Sequence, residues 1–136
     1  AGRPGEGWPQ ALRDPEIAAA LEALHAEPAA PWRIEDLAAR VGLSRATLAR
    51  RFTALTGQPP MAYLTWWRLT TAARLLQDTE LPLPSIAAKV GYGSPFAFSH
   101  AFKRQFGIAP GGFRTSRPTS PGGGKSGADA GLTPRP

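Results

Sequence analysis

Apolar residues in this chain recur at helical spacing in blocks that end at Gly or Pro. Ile17, Ala20, Leu21 and Leu24 form the first block, with Asp14 placed to cap it and Pro15 in the first helical position. This predicts a helix to about His25, broken by EPAAP. Trp32 and Ile34 lead into a second helix, about Ile34 to Val41, whose core face is Leu37, Ala38 and Val41. Gly42 ends it. Ser44 caps a third helix to about Thr56, with Leu48, Phe52 and Leu55 inward and Gly57 as its stop. Pro60 starts a long fourth helix to about Gln77. Its apolar positions, from Tyr63, Leu64, Trp67 and Leu69 to Ala72, Ala73, Leu75 and Leu76, cover more than one stripe. DTELPLP is a turn, and Pro84 or Ser85 opens a fifth helix ending at Val90. Ser94 caps a sixth with Pro95 first, and Phe98, Phe102 and Phe106 recur at i, i+4 and i+8. A short seventh helix is expected from Ala109 to about Thr115 on the anchor Phe113, although Gly111 and Gly112 oppose it.

The stretch from Asp36 to Pro60 returns in altered form from Ser85 to Pro110. Leu37 matches Ile86, Arg40 matches Lys89 and Gly42 matches Gly91. After one extra residue at Gly93, Ser44 matches Ser94, Phe52 matches Phe102 and Gly57 matches Gly107. Each copy reads as helix, Gly-containing turn, helix, which is the sequence form of a helix-turn-helix. The expected fold is therefore all-α: two helix-turn-helix subdomains, at 34–57 and 84–107, joined by a linker helix at 60–77. The domain is expected to span 12–117, with a flexible Gly/Pro-rich linker at 1–11 and a disordered Pro/Gly/Ser-rich tail at 118–136. The fourth helix is expected to pack against both repeats. Its 18 or so residues make a rod of roughly 27 Å, and recognition helices in successive major grooves lie roughly 34 Å apart.

Charge sharpens this picture. The formal net charge is +6. Residues 1–39 carry three basic and seven acidic side chains, whereas residues 40–114 carry ten basic and two acidic. Positive charge thus sits on the repeats and the helix between them, as a polyanion-binding surface requires.

In each repeat the second helix is the candidate reader of a major groove, which admits an α-helix. In the first repeat the positions facing away from Leu48 and Phe52 include Arg45, Ala46, Ala49 and Arg50. Arg50 is the strongest base reader, because its fork bridges guanine O6 and N7. Ala46 and Ala49 allow close approach and suit a thymine methyl. Ser44, Arg45 and Arg51 are expected to meet phosphate. In the second repeat the outward set is Pro95, Phe96, Ser99, His100 and Lys103. Ser99 and His100 take the places of Ala49 and Arg50, and Phe96 that of Ala46. Phe96 suits a thymine methyl or folds onto the helix surface. Lys89, Lys103 and Arg104 are expected at phosphate, as is the helix N-terminus at Ser94.

The runs IEDLAARVGLSRATLARRF, TGQPPMAYLTWWRLTTAARLL and, above all, SIAAKVGYGSPFAFSHAFKRQFGIAPGGFR resemble the AraC/XylS family of bacterial transcription regulators. The resemblance covers about Asp14 to Arg117. It implies a homeodomain-like domain of seven helices that binds double-stranded promoter DNA, usually as an activator touching RNA polymerase. By position it puts base contacts on Ala46, Ala49 and Arg50, then on Pro95, Phe96, Ser99 and His100. It is closest to members with a cupin-like sensor ahead of this domain. Together with the opening AGRPGEGWPQ and the lack of a starting Met, this suggests the DNA-binding half of a longer, effector-responsive protein. Any small-molecule effector would act through the preceding part, and the isolated domain is expected to be monomeric.

Other functions fit less well. His25 and His100 have no neighbouring Cys, Asp or Glu pattern for a metal, and no phosphate loop, dinucleotide fingerprint or nucleophile elbow occurs. No enzymatic activity, cofactor or metal is expected. His25 reads as a cation or donor near a helix C-terminus. The Phe and Trp stripes suit partner helices, but at these spacings they are more often core. No long apolar run or signal peptide is visible, and the absence of Cys is compatible with the cytoplasm. Because Ala-Ala-Arg faces outward in one repeat and Phe-Ser-His in the other, the DNA site should be asymmetric. Selection of bound sequences from a random DNA pool should enrich two half-sites about one turn apart, with more information under the Arg50 helix. Equal information in both would count against this.

Overall fold

A computed structural model describes residues 13–116. The expected flexible segments at 1–11 and 118–136 lie outside the described residues. Seven helices account for most of the described residues: α1 Pro15–Ala26, α2 Ile34–Val41, α3 Arg45–Thr56, α4 Pro60–Asp78, α5 Leu83–Lys89, α6 Pro95–Phe106 and α7 Pro110–Thr115. The chain divides into two compact units, with the boundary inside α4 between Thr65 and Trp66.

Local chemistry sets the helix ends. Three side chains cap helices where the sequence placed them. Asp14 Oδ1 accepts from the Ile17 N–H at 3.3 Å, Ser44 Oγ from Thr47 at 3.1 Å and Ser94 Oγ from Ala97 at 3.0 Å. The two helix-turn-helix corners share one hydrogen-bond scheme. The Leu43 N–H reaches back to the Ala38 carbonyl at 3.0 Å, and the Tyr92 N–H to the Ala87 carbonyl at 2.9 Å. The residue before each donor must turn left-handed. Gly42 and Gly91 do so with φ of 77° and 97°, a region that costs a residue with a Cβ. The extra Gly93 lengthens the second corner without changing this scheme.

The first unit closes on Ile17, Ala20, Leu21 and Leu24 of α1, Leu37 and Ala38 of α2, Leu48 and Phe52 of α3, and Leu64 of α4. Phe52 meets Tyr63 edge-on, with ring centroids 5.5 Å apart. His25 Nε2 lies 2.7 Å from Tyr63 Oη. Burial pushes the His25 pKa below its ordinary 6.5 and raises Tyr63 to about 12. Of the cation or donor expected at His25, the cation is disfavoured, because desolvation penalises the charged form, while the imidazole keeps a hydrogen bond with a tyrosine.

The second unit closes on Leu69, Ala72, Ala73 and Leu76 of α4, Ile86 and Ala87 of α5, and Phe98 and Phe102 of α6. Leu64 and the later α4 residues thus serve different cores, which is why α4 carries more than one apolar stripe. α5 starts at Leu83, one or two residues before the expected Pro84 or Ser85. Pro84 is tolerated in the first turn because its missing N–H has no partner there to lose.

α7 forms despite Gly111 and Gly112. Phe113 packs edge-on against Phe102, with centroids 5.3 Å apart. The Arg114 guanidinium donates to the carbonyls of Leu76 and Thr79, both at 3.1 Å, and so satisfies acceptors at the end of α4. These tertiary contacts outweigh the low helix propensity of two glycines. Phe102 also lies 4.6 Å from Phe106 and 5.7 Å from Phe98, centroid to centroid. Phe102→Ala should therefore destabilise the second unit by about 3–5 kcal/mol, read by urea denaturation. A loss below about 1 kcal/mol would contradict this packing.

Candidate nucleic-acid interface

The inward stripe of each recognition helix determines what it shows to solvent. Leu48 and Phe52 are fully buried on α3, as are Phe98 and Phe102 on α6. A helix turns 100° per residue, so burial of these pairs points residues 46 and 50, and 96 and 100, away from the cores, leaves 49 and 99 at the flank, and puts 45 and 95 in the solvent-facing first turn ahead of the buried pair. On α3, Arg45, Ala46 and Arg50 are exposed, whereas Ala49 is half-buried. On α6, Pro95, Phe96 and His100 are exposed, and Ser99 is half-buried. Each set lies within one unit, on the first two turns of its helix.

The serine caps serve two ends. Each Oγ accepts from its own helix, which leaves the hydroxyl hydrogen free to donate to an anion. The remaining N–H groups at each helix start carry the positive end of the helix dipole. Lys89, Lys103 and Arg104 are exposed and make no ion pair among the described residues, and the same holds for Arg50. Arg45 donates to Glu35 at 2.9 Å. Both side chains are largely exposed, and a solvent-exposed pair of this kind is weak enough to exchange for phosphate.

Arg51 is placed otherwise than expected. Its guanidinium grips the Asp14 carboxylate with two nitrogens, Nε at 3.0 Å from Oδ2, and its terminal nitrogen lies 2.9 Å from Glu16 Oε1. Meeting a phosphate would require it to leave two carboxylates, and in this arrangement it ties α3 to the start of α1. The signal was present in the spacing: Leu48, Arg51, Phe52 and Leu55 fall at i, i+3, i+4 and i+7, so Arg51 lies on the core-facing stripe. Its counterpart in the second repeat is Ala101, half-buried against that unit's core.

Asp14 is the residue sequence reasoning undervalued. It caps α1 and binds Arg51 at once. The Arg51 hydrogen bonds hold its carboxyl below the ordinary 3.8, against the desolvation that would raise it. Trp32 is a second such residue. Its indole N–H donates to the Glu27 carbonyl at 2.8 Å and its ring lies 5.1 Å from the Arg40 guanidinium carbon, which joins the α1–α2 loop to α2.

Two helix-turn-helix units with equivalent corners, caps and buried pairs define the class of the chain. Residues 37–116 match the family model of a helix-turn-helix domain. A protein of Streptomyces lividans described as an AraC-like transcription regulator is 50% identical over 115 residues, 85% of this chain and 38% of its own length. The transcriptional regulator AlkR of Acinetobacter baylyi is 44% identical over 109 residues, 80% of this chain and 36% of its own. Among solved structures, the DNA-binding domain of AdpA in complex with a target DNA superposes with a TM-score of 0.67 at 36% identity, over 79% of this chain and 96% of that one. The chain belongs to the AraC family of transcription regulators, as its helix-turn-helix domain. It spans little more than a third of the relatives it matches. No described helix is long and apolar enough to cross a membrane.

The Asp14–Arg51 pair yields a pH-dependent expectation. A carboxyl whose folded pKa is depressed stabilises the fold fully above its unfolded value, and the contribution is lost as pH falls through the folded value. Asp14→Ala should lower stability by about 1 kcal/mol at pH 7 from the lost cap, with the lost pair in addition. Asp14→Asn, which keeps an acceptor for the Ile17 N–H, should cost less. Thermal melts should show the gap between Asp14→Asn and the unaltered chain narrowing as pH falls below 3.8. A gap independent of pH would remove the ion pair from the account.

Proposed function

We propose that this chain is the sequence-specific DNA-binding part of a longer, cytoplasmic regulator of transcription. It inserts the first turns of α3 and α6 into successive major grooves of a promoter site. The observation that carries this reading is the equivalence of the two helices: each has a Ser cap, a fully buried pair inward and a solvent-facing set on its first two turns. Arg50, Ala46 and Ala49 read bases in one half-site, and Pro95, Phe96, Ser99 and His100 in the other. Ser44, Arg45, Lys89, Ser94, Lys103 and Arg104 hold phosphates and set the register. Arg51 drops out of that set and instead orients α3.

The regulator acts as an activator that contacts RNA polymerase, and its small-molecule effector binds elsewhere in the longer protein. The isolated domain binds as a monomer. Membership in a family of DNA-binding regulators supports a non-enzymatic role.

Fluorescence anisotropy against salt tests the core of the proposal. The logarithm of affinity should fall linearly with the logarithm of salt, with a slope of about −0.9 per phosphate contacted. Arg50→Ala should cost about 1–3 kcal/mol on a selected duplex and relax preference at one base pair, while leaving affinity for random DNA little changed. Equal affinity for selected and random duplexes, unaltered by Arg50→Ala, would sink specific reading.

A further inference from the structure

Among the described residues Phe96 is the exposed large hydrophobic side chain, with 81% of its surface open to solvent. It occupies the second position of α6, between Pro95 and the capped N–H of Ala97. Unlike Phe98, Phe102 and Phe106 it stacks on no other ring among the described residues. The alternative expected from sequence, a ring folded onto its own helix, is thus not the arrangement adopted. Its neighbours on the same helical face, Ser99, His100 and Lys103 at i+3, i+4 and i+7, are polar or basic. A purely apolar partner would match the ring and strand those neighbours. A major groove matches both, because it offers phosphates and one apolar feature on its floor, the C5-methyl of thymine.

We propose that Phe96 reads a pyrimidine 5-methyl group, so that the α6 half-site accepts thymine and 5-methylcytosine at one position and discriminates against unmethylated cytosine there. This rests on the reading of α6 as a recognition helix. Thymine and 5-methylcytosine carry the methyl at the same ring carbon and differ in the adjacent group, a carbonyl oxygen in one and an amino group in the other. A phenyl ring has no hydrogen-bonding atom with which to tell those two apart. It gains contact area from a methyl and loses it when hydrogen stands there. The equivalent residue of α3, Ala46, offers a single methyl and far less area.

The test uses the whole chain and a duplex enriched by it from random DNA. Each thymine is replaced singly by deoxyuridine, which removes the methyl and no hydrogen-bonding group. One position should weaken binding about three- to fivefold, the factor for one methyl buried from water. At that position cytosine should bind more tightly, by a similar factor, once it is methylated at C5. Phe96→Ala should abolish both effects, while Phe96→Leu should keep most of each. Because the ring is exposed, both variants should melt with the unaltered chain. If no thymine responds to deoxyuridine, or if Phe96→Ala leaves the response intact, the proposal is overturned while the salt slope and the Arg50 dependence stand. A chain that enriches no sequence at all overturns the recognition reading and this inference together.

Discussion

The outward face of each recognition helix depends on the burial of two side chains on its inward face. Leu48 and Phe52 on α3, and Phe98 and Phe102 on α6, are excluded from solvent completely. Each pair sits four residues apart and so fixes the rotation of its helix about its own axis. A rotation of one residue would carry Arg50 or Phe96 through 100° and expose a Phe to water. Burying a Phe side chain is worth about 1.5–3 kcal/mol, which is enough to make such a rotated state rare. The polar surface is thus aimed by the apolar one.

The two units reach that result by different means. In the first, α3 is tied at its middle by charge: Arg51 binds Asp14 and Glu16 at the start of α1. In the second, the equivalent position is Ala101, and α6 is held by rings that run from Tyr92 through Phe98, Phe102 and Phe106 to Phe113. The first unit has a whole helix, α1, ahead of its helix-turn-helix, whereas the second has the short α7 behind it. Charge pairing suits a contact at a helix start, where the dipole favours carboxylates. Ring packing suits α7, which has six residues and two glycines and would not hold as a helix by itself.

Charge is also divided by use. The acidic side chains near the start of the chain include two, Asp14 and Glu16, that neutralise a basic residue of α3 internally. Among the described residues, Arg50 on one recognition helix and Lys103 and Arg104 on the other make no ion pair. Of the ten basic side chains in residues 40–114, Arg51 is occupied within the fold by two carboxylates.

The sequence by itself determined the first six helices, nearly all their ends and the pairing of the repeats. These rest on local chemistry: apolar spacing, Ser and Asp caps, and Gly where φ must be positive. It also turned Ala46, Arg50, Phe96 and His100 outward, because helical periodicity leaves little choice for them once the inward pair is known, whereas Ala49 and Ser99 are half-buried. Only the tertiary structure decided the fate of Arg51, His25 and α7. Arg51 lies on the core stripe in the sequence, yet its role turns on carboxylates 35 and 37 residues away, which no local pattern reports. Burial beside Tyr63, a contact across 38 residues, disfavours the charged form of His25. α7 defies its glycines because Phe113 and Arg114 find partners in α6 and at the end of α4. In each case a long-range contact outweighs a local preference, since desolvation and packing act on neighbours in space rather than in sequence.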